Sequence, residues 1–435
     1  MDKVSIIVRT KNEARWIGHC LKSIYEQNYP SFEVILVDNE STDNTLEIAK
    51  RFPIAKFLKI KEFKPGKAIN MGIEASEGNL ICCISAHCIP KQKDWLINLA
   101  NNLIGDPKVG GVYGRQIPTS FTDAIDKRDL VIVFGRDKRI QIKDYFFHNA
   151  NSMFRKSTWE KFPFDNDVSN IEDRVWGKKI IENGYSIIYE PSAEVFHHHG
   201  LHQGNNPKRA QGVVSVIEKI ENKILNELPK SMLPNNSNIY AVVPVSKFIE
   251  EKSTYRKLLN DTITYLEASK YLKSIFILSE QEELCRTTNS NWLNRKNIDN
   301  VDSLNLNQLM HQALNLIEEK NIYPDSIIYL NYDYLNRPEG LIDDLITKFL
   351  YGGYDTAFSG FVDYSHYWFK NNIGEFAQTD DSFSTREKRD PIYRALYGLG
   401  CISGAHNIKK GKLVDGKIGI LPLMKEEYSK RYSQN

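Results

Sequence analysis

The first forty residues have the hydrophobic pattern of a strand, a helix and a second strand. Residues 4–8 and 32–37 are short apolar runs, interrupted only by Ser5 and Glu33, as expected for strands buried on both faces of a parallel sheet. Between these runs, apolar residues recur at the spacing of one helix face, at Ile17, Cys20, Leu21 and Ile24. A strand, a helix and a strand in this order predict a βαβ unit, and therefore an α/β fold with a parallel sheet.

Polar side chains follow both predicted strands. They are Thr10, Asn12 and Glu13 after the first strand, and Asp38 and Asp43 after the second. Because ligands of such sheets bind outside the carboxyl ends of the strands, these residues are candidates for a nucleotide site. Ordinary turn and helix-cap chemistry is the alternative, since residues 41–44 read Ser-Thr-Asp-Asn and can cap the next helix. This segment alone leaves both interpretations open.

The remainder of the first half continues the alternation of strands and helices. Strands are predicted at residues 55–60, 80–84, 109–113, 151–154 and 186–189. Helices are predicted at residues 46–49, 67–76, 95–104 and 207–228. Two more are predicted to begin at residue 157 and near the Glu172-Asp173 pair. Residues 114–147 are polar, charged and weakly periodic, a pattern that favours a mobile loop.

A second series of the same kind begins after a polar, proline-bearing linker at residues 229–238. Strands are predicted at residues 239–244, 274–279, 326–330 and 356–361, and helices at residues 254–271, 306–320 and 339–351. This alternation predicts a second α/β unit with its own parallel sheet, not an extension of the first.

The composition is that of a globular protein, since 41% of the 435 residues are hydrophobic and 26% are charged. The formal net charge of +2 gives no reason to expect a nucleic-acid partner. No apolar run approaches the ~18 residues that span a membrane, and the N-terminus lacks the apolar core of a signal peptide. A cytoplasmic protein without a transmembrane segment is expected, which leaves peripheral membrane association open.

The six cysteines include no CxxC pair, so reduced thiols are expected, as in cytosolic proteins. Cys82 and Cys83 are adjacent in a predicted strand and should therefore point to opposite faces of the sheet.

A set of motifs in the first half resembles the inverting family-two glycosyltransferases. The matching segments are SIIVRTKNE, SFEVILVDNESTDNT, KPGKAINMGIEASEGNLICCISAHCIP, VYGRQIP, FHNANSMFRKSTWEKFPFD, the Glu172-Asp173 pair and YEPSAEVFHHH. They cover about residues 1–210 in the family's order and spacing, which makes the set specific. The resemblance implies the GT-A fold and transfer of a sugar from a nucleotide-sugar donor, and it favours the nucleotide site over turn chemistry.

The resemblance also implies roles for particular residues. Donor binding is expected at Thr10, Asn12, Glu13, Asp38, Asp43, Lys67, Asn70, Ser85 and His87. The Glu172-Asp173 pair resembles the family's ED motif, whose aspartate is the catalytic base. Such a base takes the proton of the acceptor hydroxyl while the sugar C1 is attacked in line, and a single displacement inverts the anomeric centre. Two carboxylates at a helix start also complement the helix dipole, which is the structural alternative.

One departure from the family concerns the metal. The family usually has Asp-x-Asp after the central strand, which binds Mg²⁺ or Mn²⁺, whereas this chain reads Ser85-Ala86-His87. Either His87 ligates such a divalent cation together with His197 or His199, or it replaces the cation as a hydrogen-bond donor to phosphate. His197 and His199 can share one face of a strand, and His198 then points away. A capping serine and an ordinary histidine are the third possibility.

The second half resembles, more weakly, the cytidylyltransferases of the CMP-sugar synthetase type, over roughly residues 238–422. The phosphate loop of that family corresponds to residues 246–250, which contain no glycine and end in Glu250. Of the family's recurring polar residues, this chain has Arg337 and either Lys252 or Arg256. A degenerate cytidylyltransferase-like domain is therefore expected.

The sequence thus predicts a glycosyltransferase domain at residues 1–210, a helix and linker at 211–237, and a cytidylyltransferase-like domain at 238–435. The predicted function is inverting transfer of a sugar to a glycan or lipid-linked acceptor, by family association in bacterial surface polysaccharide synthesis. Two alternatives stay open, namely a bifunctional CMP-sugar synthetase and glycosyltransferase, and a non-catalytic scaffold that binds nucleotide sugars.

Overall fold

The computed structural model describes residues 2–200, 206–246, 253–285, 289–378 and 390–432. The chain divides into two compact units, Met1–Leu225 and Asn226–Asn435. Both units are built from mixed sheets and helices, and the prediction of an α/β fold is confirmed.

The described residues of the first unit form one sheet with flanking helices. The strands are β1 (Val4–Thr10), β2 (Phe32–Asp38), β3 (Lys56–Lys59), β4 (Leu80–Ser85), β5 (Cys88–Pro90), β6 (Val109–Pro118), β7 (Arg139–Gln141), β8 (Asn151–Arg155) and β9 (Ser186–His197). The helices are α1 (Ile17–Tyr25), α2 (Thr45–Ala49), α3 (Pro65–Glu74), α4 (Trp95–Ile104), α5 (Ala124–Val133), α6 (Lys156–Lys161), α7 (Glu172–Glu182) and α8 (Pro207–Glu221).

The strand order of this sheet is β3-β2-β1-β4-β8-β6-β9-β5, and β7 pairs with β9. Strands β3, β2, β1 and β4 are parallel, whereas β8 runs antiparallel to both β4 and β6. The chain leaves β1 towards β2 and β3 and later returns to β4 on the other side. The carboxyl ends of β1 and β4 therefore border the topological switch point, where such sheets bind ligands.

Two hydrophobic clusters cover the two faces of this sheet. One cluster contains the four residues of α1 that the helical spacing predicted, all of which are buried. Cys82 belongs to this cluster and Cys83 to the cluster on the other face, so the prediction of opposite directions is confirmed. Full burial of each large aliphatic side chain is worth about 1.5–3 kcal/mol, which fixes the register of the buried strands.

Residues 114–147, which were predicted as a mobile loop, contain regular secondary structure instead. They include the end of β6, helix α5 and strand β7. Asp123 caps α5 by accepting hydrogen bonds from the backbone N–H groups of Ile125 and Asp126. Within this helix only Asp126 and Leu130 are buried, so the segment lacks the apolar stripe by which a helix is recognised in a sequence.

Strand β9 and helix α8 are among the elements whose length differs from the prediction. Strand β9 continues past residue 189 to His197, because β5 and β6 pair with its second half. Helix α8 ends at Glu221 instead of residue 228, and Asn222 follows in the left-handed conformation at φ 50°. The helix thus runs through the predicted domain boundary at residue 210.

The second unit forms a separate sheet and a short hairpin. The strands are β10 (Ile239–Pro244), β11 (Leu272–Ser279), β12 (Asn291–Asn294), β13 (Ser326–Tyr329), β14 (Thr356–Asp363), β15 (Trp368–Lys370), β16 (Phe376–Gln378), β17 (Ile392–Ala395), β18 (Cys401–Gly404) and β19 (Ile418–Leu423). The helices are α9 (Ser253–Glu267), α10 (Leu306–Glu318), α11 (Leu341–Tyr351) and α12 (Ala405–Lys409).

The main sheet of the second unit has the order β12-β11-β10-β13-β18-β14-β17, and β19 pairs with β14. The first four strands are parallel, and the switch point lies between β10 and β13. Residues 247–250 and Lys252, which belong to the predicted phosphate loop and its polar residues, lie outside the described residues.

All six cysteines are free thiols, as the sequence predicted, and five of them are buried. Among the described residues, no helix combines the length and the apolar character that crossing a membrane requires.

Candidate active site

A cavity of about 610 Å³ opens at the carboxyl ends of β1 and β4. The elements that meet there are far apart in sequence, since its walls also include the start of α7, the end of β9 and the first turn of α8. The predicted site residues that line it are Thr10, Glu13, Ser85, His87, Glu172, Asp173, His197 and His199. The cavity therefore joins the predicted base to the predicted metal histidines.

The carboxylates of Glu172 and Asp173 begin helix α7 and are buried. Asp173 accepts hydrogen bonds from the backbone N–H of Asn149 at 3.0 Å and from that of Arg174 at 2.9 Å. The residue before the helix, Ile171, has a φ of 50°. A β-branched residue rarely adopts this conformation, and such strain is typical of functional sites because the surrounding fold has to impose it.

Burial raises the pKa of both carboxyl groups above the ordinary range. The neighbouring Asp173 charge raises the pKa of Glu172 further, while Arg9 lowers the pKa of both groups. Arg9 forms an ion pair with Glu172, with 3.0 Å between Nη1 and Oε1. A carboxylate whose pKa is raised by burial is a better proton acceptor than an exposed one, as a general base requires.

Three histidines that line the cavity, His87, His197 and His199, lie against one another. The ring centroid of His87 is 5.1 Å from that of His197 and 4.6 Å from that of His199, and the last two rings are 4.3 Å apart. The Nδ1 of His87 donates to Glu13 Oε1 at 2.6 Å, and the Nδ1 of His199 donates to the carbonyl of Gly200 at 3.1 Å. In the neutral form of either ring, the hydrogen is then on Nδ1 and Nε2 is the acceptor nitrogen.

The third ring, His197, has a hydrogen bond from Nδ1 to Gln116 Oε1 at 2.7 Å. Its Nε2 is buried and has no hydrogen-bond partner. Burial, together with the neighbouring imidazoles, lowers the pKa of His197 well below the ordinary value and that of His199 to about 3. Neutral rings with a free Nε2 are the form in which histidine ligates metals.

These residues fit a divalent transition metal. His87, Cys88 and His197 each offer one candidate ligand atom within 4.8 Å of the others. The Nε2 of His197 is also a buried nitrogen without a hydrogen-bond partner. The Glu13 carboxylate behind His87 is also the usual outer partner of a ligating histidine. Nitrogen and sulfur donors suit Mg²⁺ poorly, because Mg²⁺ prefers an octahedron of oxygen ligands.

The prediction that His198 points away from the other histidines is wrong, because β9 ends at His197 and the strand alternation does not continue past it. The ring centroid of His198 is 4.7 Å from that of His199 and 5.5 Å from that of His87. The His198 ring also stacks on Trp16 at 4.7 Å, and Trp16 stacks on Phe121 at 5.6 Å. The guanidinium of Arg15 lies 4.5 Å from the Trp16 ring centroid.

Three other predicted donor residues connect the loops after β1 and β2. Asn12 Oδ1 accepts from the backbone N–H of Thr42 at 2.7 Å, and Asp43 Oδ2 accepts from that of Ala14 at 3.0 Å. Asp38 accepts two hydrogen bonds from Ser41, one from its backbone and one from its hydroxyl. These contacts are the turn chemistry that the sequence left open, and none of the three side chains lines the cavity, although neighbouring Asn39 does.

Lys67 and Asn70 are not brought to the cavity either. Lys67 is exposed and lies 3.9 Å from Glu62. Asn70 is buried, and its amide forms four hydrogen bonds within the protein, to Trp159, Asn166 and both backbone groups of Phe164. The role of each in donor binding stays a prediction.

Several cavity residues were not predicted from the sequence. They are Arg9, Lys11, Asn39, His148, Arg174 and Arg209. Arg9 is a single charged residue in an apolar strand, and no local pattern distinguishes it from an exposed strand position. Among the described residues, Arg174 and Arg209 have no carboxylate partner within ion-pair distance. Arg174 lies 4.7 Å from the Phe146 ring centroid.

Comparison with known proteins gives several relatives of the first half. Glycosyltransferase AglE of Haloferax volcanii is 31% identical over 196 residues, which are 43% of this chain and 64% of that protein. The dolichyl N-acetyl-alpha-D-glucosaminyl phosphate 3-beta-D-2,3-diacetamido-2,3-dideoxy-beta-D-glucuronosyltransferase of Methanococcus voltae is 26% identical over 216 residues, 44% of this chain and 65% of that protein. The O-antigen chain rhamnosyltransferase RfbN of Salmonella typhimurium is 24% identical over 210 residues, 45% and 67% respectively. The chain thus covers less than two thirds of the first two relatives.

Solved structures overlap with part of the chain. A mannosyltransferase of Pyrobaculum calidifontis in complex with GDP-Man and Mn²⁺ has 26% identity and a TM-score of 0.42, and the overlap covers 54% of this chain and 67% of that one. TarS of S. aureus in complex with UDP-GlcNAc has 18% identity and a TM-score of 0.40, with 54% and 70% covered.

A family model gives the last comparison, and its match contains the strands whose carboxyl ends open into the cavity. The matched stretch starts in β1, includes β4 and ends after α6. Residues 5–162 of this chain match the family described as Glycosyl transferase family 2.

Proposed function

We propose that this protein is an inverting glycosyltransferase that moves a sugar from a nucleotide-sugar donor to a glycan or lipid-linked acceptor. The observation that carries the proposal is the buried Glu172-Asp173 pair at the start of α7, which faces the same cavity as His87, His197 and His199. The match to Glycosyl transferase family 2 and the names of the relatives support the reaction class. Those relatives include enzymes of an O-antigen chain and of a dolichyl-linked saccharide, which supports the acceptor class.

In the proposed reaction, Asp173 takes the proton of the acceptor hydroxyl. The acceptor oxygen forms a bond to the sugar C1 while the bond from C1 to the diphosphate oxygen breaks, so the configuration at C1 is inverted. The backbone N–H groups of Asn149 and Arg174 hold one carboxylate oxygen each. Every carboxylate oxygen accepts more than one hydrogen bond, so each keeps a lone pair for the acceptor proton.

The departing nucleoside diphosphate needs positive charge on the side of the cavity opposite Asp173. A divalent cation held by His87, His197 and His199 would supply Lewis-acid stabilisation of the diphosphate oxygens. Arg174 and Arg209, which lack a carboxylate partner among the described residues, supply further cationic donors in the cavity. Guanidinium groups bind phosphate through paired hydrogen bonds, so anionic groups of donor or acceptor suit these positions.

The proposal includes the domain organisation of the chain. We infer a GT-A domain that ends in α8 and a degenerate cytidylyltransferase-like domain after it. In the second unit, Asp333 follows β13 at the switch point and forms an ion pair with Arg431, whose Nε lies 2.8 Å from Asp333 Oδ2. The backbone N–H of Tyr432 donates to the Asp333 carbonyl at 2.7 Å. The carboxylate and the carbonyl of Asp333 are therefore both paired with residues of this chain.

Replacement of the base tests the reaction. We expect Asp173→Asn to bind the nucleotide of the donor almost unchanged and to lower the rate of transfer by ~10²-fold or more, because the variant lacks a proton acceptor. Asp167→Asn is the matched control, since Asp167 is exposed and does not line the cavity. Transfer at the wild-type rate by Asp173→Asn would remove Asp173 from the mechanism.

Pyrophosphate release separates the proposal from the bifunctional alternative. We expect the full chain to release no pyrophosphate from CTP with any common nonulosonic acid, because the loop at residues 246–250 has no glycine to admit a triphosphate. Synthesis of a CMP-sugar would establish the bifunctional enzyme instead. Absence of both transfer and CMP-sugar synthesis would leave the scaffold.

A further inference from the structure

A single buried amide lies between two histidines of the cavity. Gln116 is on β6 and is 1% exposed. Its side chain contacts the Nδ1 atoms of two rings, that of His197 at 2.7 Å and that of His148 at 2.9 Å. An amide has one acceptor oxygen and one donor nitrogen, so the two Nδ1 atoms cannot have the same protonation while both hydrogen bonds exist.

The backbone N–H of Ala150 determines which ring faces the oxygen of the Gln116 amide and which faces its nitrogen. The N–H of Ala150 points to the Nδ1 of His148 at 3.4 Å. A backbone N–H only donates, so the Nδ1 of His148 is an acceptor and carries no hydrogen. The amide group facing His148 must then be the Nε2 of Gln116, and its Oε1 faces His197. The orientation of the amide thus follows from the contact between the Ala150 N–H and the Nδ1 of His148.

The two rings are therefore opposite tautomers. His197 carries its hydrogen on Nδ1, which leaves the buried and unpartnered Nε2 as a metal-ligand atom. His148 carries its hydrogen on Nε2, so this wall of the cavity has a neutral N–H donor. Burial lowers the pKa of His148 to about 4, and the ring is neutral in the ordinary pH range.

The third and fourth rings of the group do not depend on this glutamine. The Glu13 carboxylate and the Gly200 carbonyl can only accept hydrogen bonds, so the Nδ1 atoms of His87 and His199 carry a hydrogen. Unlike an amide, neither partner can be turned to present a donor instead. His197 differs because its partner is an amide, whose direction is set by His148 and Ala150. The state of the candidate metal ligand is therefore coupled to the state of the cavity donor.

We propose that Gln116 is a positioning residue that fixes His197 as the Nδ1–H tautomer and His148 as the Nε2–H tautomer. The two tautomers are inferred from hydrogen bonds alone. The roles of the rings, metal ligation by His197 and hydrogen-bond donation to the substrate by His148, rest on the proposed function. A reversed amide would set two donors against each other at His148 and leave buried groups unpaired, at a cost of about 1–3 kcal/mol for each group. The arrangement is thus self-consistent in one orientation.

The tautomers are tested directly by ¹⁵N NMR. The sample is the metal-free full chain labelled with ¹⁵N-histidine. We expect His197 to be the Nδ1–H form and His148 the Nε2–H form in the wild-type protein, with signals assigned by their loss in His197→Gln and His148→Gln. The same tautomer in both rings of the wild-type protein would overturn the proposal, and this measurement needs no variant of Gln116.

The variant Gln116→Leu then tests the cause. We expect the opposite tautomers to be lost and the rings to give mixed populations. Gln141→Leu is the matched control, because Gln141 is another buried glutamine of this unit whose hydrogen bonds go to Tyr113, Asp144 and Phe146, and to no histidine. Unchanged tautomers in Gln116→Leu would overturn the proposal, and so would an equal loss in Gln141→Leu.

Calorimetry with Mn²⁺ as the probe measures the consequence. Loss of an outer partner of a ligating histidine typically weakens metal binding by about 10–100-fold, and we expect this for Gln116→Leu but not for Gln141→Leu. Equal Mn²⁺ affinity in the wild-type protein and Gln116→Leu would overturn the positioning role. Failure to transfer sugar from any donor would overturn the proposed function, yet it would leave the tautomers as measured.

Discussion

Arg9 Nη1 lies 3.0 Å from Glu172 Oε1, although 163 positions separate the two residues in the chain. The ion pair joins the end of β1 to the start of α7 and places a cation beside two buried carboxyl groups. Asn149 completes the arrangement, since its side-chain nitrogen donates to the same Glu172 oxygen at 3.2 Å. Arg9, a residue of the first strand, thus lowers the pKa of the proposed base Asp173, which burial raises.

Removal of this cation shifts the pH dependence of transfer. Arg9 lowers the pKa of Glu172 and Asp173, so Arg9→Gln leaves the pKa of both higher than in the wild-type protein. A base works only when deprotonated, and the acid limb of the rate profile therefore moves to higher pH. We expect the variant to lose more activity at pH 6 than at pH 8, measured as kcat at saturating donor and acceptor.

Arg115→Gln is the control for that experiment. Arg115 forms an ion pair with Glu194 at 2.8 Å and does not line the cavity. Equal acid limbs in the wild-type protein and Arg9→Gln would show that the Asp173 carboxyl group does not limit the rate on the acid side.

Asp38 distinguishes nucleobase contact from turn chemistry. If its carboxylate meets a base N–H, Asp38→Ala weakens the binding of UDP, GDP or dTDP by about 1–3 kcal/mol, because a partly buried donor is left unpaired. Ser41→Ala removes the hydroxyl partner of Asp38 and keeps the carboxylate, so we expect it to retain nucleotide affinity. Calorimetry that gives the same affinity for Asp38→Ala and the wild-type protein would assign Asp38 to the turn alone.

Metal dependence follows from the chemistry of the three imidazoles. We expect exhaustive chelation with EDTA to abolish transfer, and Mn²⁺ to restore it more fully than Mg²⁺, because nitrogen ligands suit Mg²⁺ poorly. His87→Ala should weaken Mn²⁺ binding measured in the presence of the nucleoside diphosphate. His19→Ala is the control, since His19 is exposed and remote from the cavity lining.

Full activity in EDTA would exclude the metal and favour His87 as a hydrogen-bond donor to the diphosphate. An unaffected His87→Ala would exclude both roles.

The partly buried His148 makes stability sensitive to acid. Its pKa is lowered to about 4 in the folded protein, from an ordinary value of about 6.5 in the unfolded chain. Between these values the unfolded chain binds more protons, so the free energy of unfolding falls as the pH falls. This single group should cost about 2 kcal/mol between pH 7 and pH 5.

His148→Gln removes that contribution. We expect denaturant unfolding to show a smaller loss of stability from pH 7 to pH 5 in this variant than in the wild-type protein, while His19→Gln behaves as the wild-type protein does. An equal loss in all three proteins would mean that His148 is protonated in the folded state at pH 5.

The sequence by itself determined the elements whose signal is local. Helix α4 has the predicted bounds, Trp95–Ile104, and strand β10 has the predicted bounds, Ile239–Pro244, because each has an apolar pattern bounded by polar or turn residues. The order of strands and helices predicted two α/β series. The strand ends identified Thr10 and Glu13 as site residues, the family resemblance added Ser85 and His87, and all four line the cavity.

Only the tertiary structure decided how distant segments meet. The antiparallel β8 lies between β4 and β6, and its pairing is set by partners that no local window contains. The same holds for α5, which buries too little to show a helical stripe, and for α8, whose apolar pattern continues past the point where Asn222 turns out of the helix. Arg9 and Gln116 lie within segments that match the family, but each acquires its role from a carboxylate or an imidazole that the fold places against it. Periodicity records which face of a segment is buried, but the partner across that face is fixed by long-range packing, which one sequence does not contain.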